Sequence, residues 1–289
     1  MLFRSPTPLP EEVRLALARD MLHHRKSEFR NIFNEVQHKL RKLFATEQAV
    51  LPLSCSGTGA MQAAVNNLFA PGEKVLVAAA GKFGERWSEI AKSRGLEVIQ
   101  LNLPWGQPIT AQEVLPYLDN HTDICGLLVQ ASETSTGVLH PVQEISALTR
   151  NRDTLLVVDG ISAVGISPCP QDEWAIDCLL TGSQKGIMLP PGLALISLSQ
   201  RAWAKVEQTR RSDYYFDLLL ERENCLKGQT RFTSPVNLIV GLNKALDIFF
   251  SHGLEEIYRK HWALTQMIST GVTSLVLELF SPTPSTCGF

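Results

Sequence analysis

The stretch "TGSQKGIMLPPG", Thr181 to Gly192, sets one lysine between an apolar run ending in "DCLL" and a turn built on Pro190, Pro191 and Gly192. Lysine ordinarily stays on a wet surface, so a solvated loop amine is one reading of Lys185. The other is a nucleophile whose pKa burial lowers, leaving a neutral fraction able to attack a carbonyl. Asp159 closes the apolar run "TLLVV" 26 positions earlier, as a carboxylate at a strand end or as the N-cap of the next segment. In "CSGTGAMQAA", Ser56, Gly57, Thr58 and Gly59 open a helix with small residues. Backbone N–H groups and hydroxyls can approach an anion there, although a capped helix after a tight turn has the same composition. Neither a Walker A motif nor GxGxxG is matched, which argues against a nucleoside triphosphate or a dinucleotide. "SETSTG" groups hydroxyls around Glu133, a pattern that plain turns also use. Phe83, in "AGKFGERW", is either core or an aromatic face for a ligand.

These residues must be carried by elements that bring them together. The runs "AVLPLS", "KVLVAAA", "LEVIQLNL", "ICGLLVQA", "TLLVVDG", "DCLLTGS" and "LALISLS" are short, apolar and bounded by turn residues, as strands covered on both faces are. Helical patterns alternate with them: "GAMQAAVNNLF", "FGERWSEIAKSRG", "TAQEVLPYL" and "VQEISALTRN". The alternation predicts a three-layer α/β domain with a mostly parallel central sheet. Two helices should precede it, one opening at Pro10 and one N-capped by Ser27. Two long ones should come after it, over "SPVNLIVGLNKALDIFFSHG" and "LEEIYRKHWALTQMISTGVTSLVLEL". In such a sheet ligands gather beyond the carboxyl ends of the strands, where Lys185, Asp159, Ser56 and "SETSTG" all fall.

Composition narrows the partners. The 289 residues are 44% hydrophobic and 19% charged, with a formal net charge of -2, so nothing electrostatic calls for nucleic acid or an anionic membrane. No run approaches the ~20 apolar residues of a membrane span. The six cysteines form no CxxC pair and no metal-spaced cluster, and "MLFRSPTPLP" has no apolar signal core. Free thiols in a reducing cytoplasm, no metal, and small-molecule partners are the expectation.

An amine, a carboxylate, an anion nest and an aromatic face around one crevice are what pyridoxal 5'-phosphate requires. Its aldehyde condenses with a lysine, its ring nitrogen keeps a proton beside a carboxylate, and its phosphate takes a helix N-terminus. The chain also resembles the class V, fold type I pyridoxal-phosphate aminotransferases, especially the alanine-glyoxylate and serine-glyoxylate group and proteins labelled soluble hydrogenase small subunit. The likeness runs through "SPTPLPEEV", "HHRKSEF", "SGTGAMQAA", "PGEKVLV", "FGERW", "SETSTGVL", "LLVVDGISAVG", "DCLLTGSQKGIMLPPGLALIS" and "FTSPVN". It implies Lys185 as the Schiff-base lysine and Asp159 as the pyridinium partner. It further implies Ser56, Gly57, Thr58 and Gln184 at the phosphate, Phe83 on the ring face, and Thr134 and Ile161 beside the cofactor. Thr233 matches a residue that the family lends across a homodimer to the neighbouring phosphate. The implied activity moves an amino group from alanine or serine to a 2-oxo acid such as glyoxylate.

Three departures accompany the likeness. Ser5, Pro6 and Thr7 stand where the family usually has Gly-Pro-Thr, and Thr230 stands where a tyrosine often meets the phosphate. After "LELFSPTPSTCGF" the family continues into a small domain with the arginine that grips the substrate carboxylate. The sequence therefore predicts an arm and large domain over 1–252 and an incomplete small domain over 253–289. With Arg4, Arg25 and Arg231 as the remaining arginine candidates, a truncated homologue that binds the cofactor or only a partner subunit, without turnover, is the alternative. A cysteine desulfurase fits poorly, since Gln184 precedes the lysine and only Cys287 lies late in the chain.

Overall fold

The computed structural model describes residues 6–209 and 213–281; Arg4, Ser5 and Cys287 lie outside them. All seven apolar runs are strands of one sheet: β1 (Val50–Leu53), β2 (Lys74–Ala79), β3 (Glu97–Asn102), β4 (Ile124–Gln130), β7 (Leu155–Asp159), β8 (Cys178–Gly182) and β9 (Ala194–Leu198). A two-stranded hairpin, β5 (Ser132–Glu133) with β6 (Val138–Leu139), stands apart. The sheet order is β1-β9-β8-β7-β4-β2-β3. β9 runs against both its neighbours, and the remaining pairings are parallel. The short connection after β8 accounts for that reversal, because a parallel partner would need a crossover long enough for a helix.

Every residue of β1, β7, β8 and β9 is buried, which requires cover on both faces of the sheet. Cover comes from α3 (Gly57–Leu68) on β8 and β9, α4 (Lys82–Ser93) on β2, β3 and β4, and α6 (Val142–Thr149) on β7. α5 (Ala111–Asn120) packs on α6. Trp87, Phe69 and Met61 are fully buried in the resulting layers. Each such side chain contributes about 1.5–3 kcal/mol by leaving water.

The first helices are α1 (Glu11–Leu17) and α2 (Ser27–Phe44), both packed on α9 (Val236–His252). Ser27 is the first residue of α2, and Lys26 occupies the cap position. α10 (Leu254–Ser274) ends at the first residue of "SLVLEL", with Val276 in the left-handed region at φ 59. Its Trp262, Met267 and Ile268 are exposed, so the apolar rhythm of this helix is not a buried stripe. Two further helices lie outside the periodic patterns of the sequence. α7 (Gln200–Gln208) starts at a Ser199 cap that accepts from the Ala202 amide at 3.1 Å, and α8 (Leu218–Leu226) starts at Asp217, which accepts from the Leu220 amide at 3.1 Å. Among the described residues no helix is long and apolar enough to cross a membrane.

Candidate active site

β1, β2, β4, β7 and β8 point the same way, and their carboxyl ends converge on a cavity of about 350 Å³. Ser56, Gly57, Thr58, Phe83, Thr134, Asp159, Ile161, Gln184 and Lys185 all line it, joined by Arg86, Ser132, Ser135 and Ser162. Of the residues singled out from sequence for the cofactor, only Thr233 lies elsewhere.

Lys185 is 8% exposed, so the solvated-loop reading fails. Its turn is fixed from both sides. The Thr7 hydroxyl donates to the Lys185 carbonyl at 3.0 Å, the Thr7 amide donates to the Gln184 carbonyl at 3.0 Å, and the Met188 amide reaches the Lys185 carbonyl at 2.9 Å. The Ser183 hydroxyl donates to the Pro190 carbonyl at 2.6 Å and ties down the Pro-Pro-Gly loop, leaving Gln184 rather than Ser183 to face the cavity. A Cβ on Gly186 would stand 2.6 Å from the Val164 carbonyl oxygen, so glycine after the lysine lets this turn close on the loop beyond β7.

Asp159 is 4% exposed, and its Oδ1 accepts from the Ile161 amide at 2.8 Å. Burial pushes its carboxyl up to about 7, and the nearby Glu133 charge adds to the rise. The Ile161 amide, Arg86 and Lys185 oppose it. At the start of α3 the amides of Gly57 and Thr58 have no carbonyl one turn back within the helix, and the Ser56 side chain makes no capping bond. Ile161 closes over this turn so tightly that a Cβ on Gly57 would stand 2.3 Å from its Cδ1.

The aromatic face is positioned by a residue whose role the sequence did not disclose. Glu133 is fully buried and caps α4 from a distant hairpin. Its carboxylate accepts from the amides of Phe83 at 3.1 Å, Gly84 at 3.0 Å and Ser135 at 3.1 Å, and from the Ser135 hydroxyl at 2.6 Å. A Glu133→Ala protein should lose about 2–4 kcal/mol in urea unfolding, because several buried donors lose a charged acceptor together. Glu133→Gln should recover part of it. Equal stabilities of wild type and alanine variant would remove Glu133 from this role.

Thr233 is exposed beside a much smaller cavity that also includes Glu221, Thr230 and Phe232. The Thr230 hydroxyl donates within its own loop, to the Phe232 carbonyl at 2.9 Å. Burial pushes the Glu221 carboxyl up to about 7, and it accepts from the Arg231 amide at 3.3 Å. Neither Arg25 nor Arg231 lines the main cavity. Arg25 donates to the carbonyls of Thr230 at 2.9 Å and Arg231 at 3.1 Å. The Arg231 guanidinium lies against the rings of Tyr214 and Phe232, each centroid 4.8 Å away. The cavity's own arginine is Arg86, three residues after Phe83 on α4.

The sequence pattern of the family described as aminotransferase class-V matches residues 12–286. The chain belongs to that family. A protein named soluble hydrogenase, small subunit, from a Synechococcus species is 37% identical over 284 residues, covering 97% of this chain and 74% of the relative. The serine–glyoxylate aminotransferase of Methylorubrum extorquens is 34% identical over 293 residues, covering 96% of this chain and 72% of the relative. Among solved structures, the alanine–glyoxylate aminotransferase of a Nostoc species superposes with a TM-score of 0.91 at 28% identity, covering 98% of this chain and 77% of that one. The fold is that of pyridoxal-phosphate-dependent transferases, and the family implies that cofactor. The cavity suits it: an anion nest, an amine and a carboxylate share one wall set. The buried Oε1 of Gln184 also has no partner among the described residues; as an acceptor it is open to a donor on a ligand, whereas a phosphate would take the amide's N–H groups.

Proposed function

We propose that this class V aminotransferase moves an amino group from a small amino acid, alanine or serine, to a small 2-oxo acid such as glyoxylate. The observation carrying the reading is the convergence of Lys185 and Asp159, both buried, on the cavity that opens at the start of α3. Bound there, pyridoxal phosphate would supply an aldehyde that captures amines covalently and a ring that takes up the electron pair left at a substrate α-carbon. Lys185 would anchor that group and, once displaced by substrate, act as the base that takes the α-proton and returns it. Asp159 would hold a proton on the ring nitrogen as a buried ion pair. The first turn of α3 and Gln184 would take the phosphate, Phe83 would pack on the ring, and Thr134, with Ser162 as its hydrogen-bond partner, would border it.

The exposed position of Thr233 supports a homodimer in which each subunit completes its neighbour's phosphate site. Residues 253–289 are read as the beginning of the second, smaller domain.

The test is reconstitution with pyridoxal phosphate, borohydride reduction and peptide mapping, then glycine formation from glyoxylate with alanine, serine or aspartate as donor. A pyridoxyl adduct on Lys185 together with glycine is the expected result. Absence of the adduct sinks the cofactor assignment. An adduct without glycine from any donor leaves a binding protein.

A further inference from the structure

Arg86 belongs to the cavity wall, yet the roles of Lys185, Asp159 and the α3 turn leave it without a task. Its Nη1 donates to the Thr58 hydroxyl at 3.1 Å, and its guanidinium carbon lies 4.8 Å from the centre of the Phe83 ring. Together these contacts hold the guanidinium against Thr58 in the first turn of α3, in the cavity that Ser56 and Gly57 also line. We infer that Arg86 is the fixed cation of this anion nest and ligates the phosphate monoester of the cofactor. The inference rests on the proposed cofactor site and adds a residue to it.

The charge balance decides the assignment. A phosphate monoester carries about -1.5 to -2 near neutral pH, whereas a helix N-terminus offers the equivalent of about half a positive charge. Ser56, Gly57, Thr58 and Gln184 are neutral. Lys185 is committed to covalent work, and its amine must lose its proton to do it. That leaves Arg86 as the other basic side chain among the residues lining the cavity. Its one hydrogen bond, among the described residues, goes to a neutral hydroxyl, so most of its five donors are left for a ligand. A planar guanidinium can meet two phosphate oxygens at once, and stacking on Phe83 limits the freedom it would lose in doing so.

The experiment compares the wild-type chain with Arg86→Gln and Arg86→Lys in three titrations: pyridoxal phosphate, pyridoxal without phosphate, and inorganic phosphate. Absorbance reads the first two, and the thermal midpoint of the cofactor-free protein reads the third. Arg86→Gln should bind pyridoxal phosphate about 10- to 100-fold more weakly, and pyridoxal within about twofold of wild type, as loss of one charged hydrogen-bond donor predicts. It should also lose the phosphate-induced rise in midpoint, and Arg86→Lys should recover part of both effects. Equal weakening of pyridoxal phosphate and pyridoxal would overturn the inference, because Arg86 would then act only by supporting Phe83. So would unchanged cofactor affinities with a raised KM for glyoxylate, which would make Arg86 a substrate-carboxylate ligand. The phosphate arm needs no lysine adduct. A wild type that forms no adduct but shows Arg86-dependent protection by phosphate would uphold the anion site while the aminotransfer reading falls.

Discussion

Lys185→Ala is expected to abolish the reducible adduct and to slow amino transfer by about 100- to 10,000-fold, the usual worth of a positioned acid–base group. The fold should survive the change. The backbone at this position is held by the Thr7 hydroxyl, the Thr7 amide on Gln184 and the Met188 amide, none of which needs the lysine side chain. The urea midpoint of the cofactor-free chain reads that survival directly. Lys185→Arg separates charge from chemistry. It keeps a cation in the cavity, but a guanidinium does not surrender its proton near neutral pH and cannot serve as the base. Both variants should therefore be slowed to that extent, and a small primary amine added to the alanine variant should restore some turnover by entering the space the side chain vacates. Adduct mass, glycine formation and urea midpoint together check this. Retention of substantial turnover in Lys185→Arg would remove Lys185 from the base role.

How much of this molecule is legible in its sequence depends on how far each interaction reaches along the chain. The strands were legible because a strand buried on both faces must be apolar throughout, as "LLVVD" and "CLLTG" are. Lys185, Asp159 and the α3 start were legible because an α/β sheet delivers its strand ends to one side, so position after an apolar run predicts proximity. The reversal of β9 could be inferred only from its short connection. α7 does carry a local signal, a serine cap directly after the β9 run. Glu133 and Arg86 are a different case. Glu133 does its work on amides about 50 residues earlier in the chain, and Arg86 meets Thr58 across 28 positions. No local pattern encodes those pairings, since they arise only when the β5–β6 hairpin, α3 and α4 have docked. The arginine candidates show the same limit from the other side: Arg25 and Arg231 look available in sequence but are occupied by carbonyls and rings once the chain folds.

Asp159→Asn should separate two effects that the lysine variants mix. Burial holds the Asp159 carboxyl at about 7, well above its ordinary value of 3.8, so the folded, cofactor-free chain keeps this proton in a range where the unfolded chain has lost it. Stability from this group is therefore fully present below pH ~4 and is lost as pH rises through ~7, a total of a few kcal/mol. Asparagine cannot titrate, so the difference in unfolding free energy between wild type and Asp159→Asn should shift in favour of the variant across that window and level off above it. In the loaded protein the requirement inverts. In the proposed role the carboxylate would have to be charged to keep a proton on the ring nitrogen, and the neutral amide should then slow transfer by about 100- to 1,000-fold, as loss of one buried electrostatic partner does elsewhere. The adduct on Lys185 should nevertheless form, because the amine that makes it is untouched. Urea titrations from pH 5 to 8, adduct mass and single-turnover rates read these separately. A variant that retains the wild-type pH slope would show that another group sets it, and one that transfers at the wild-type rate would take Asp159 out of the chemistry.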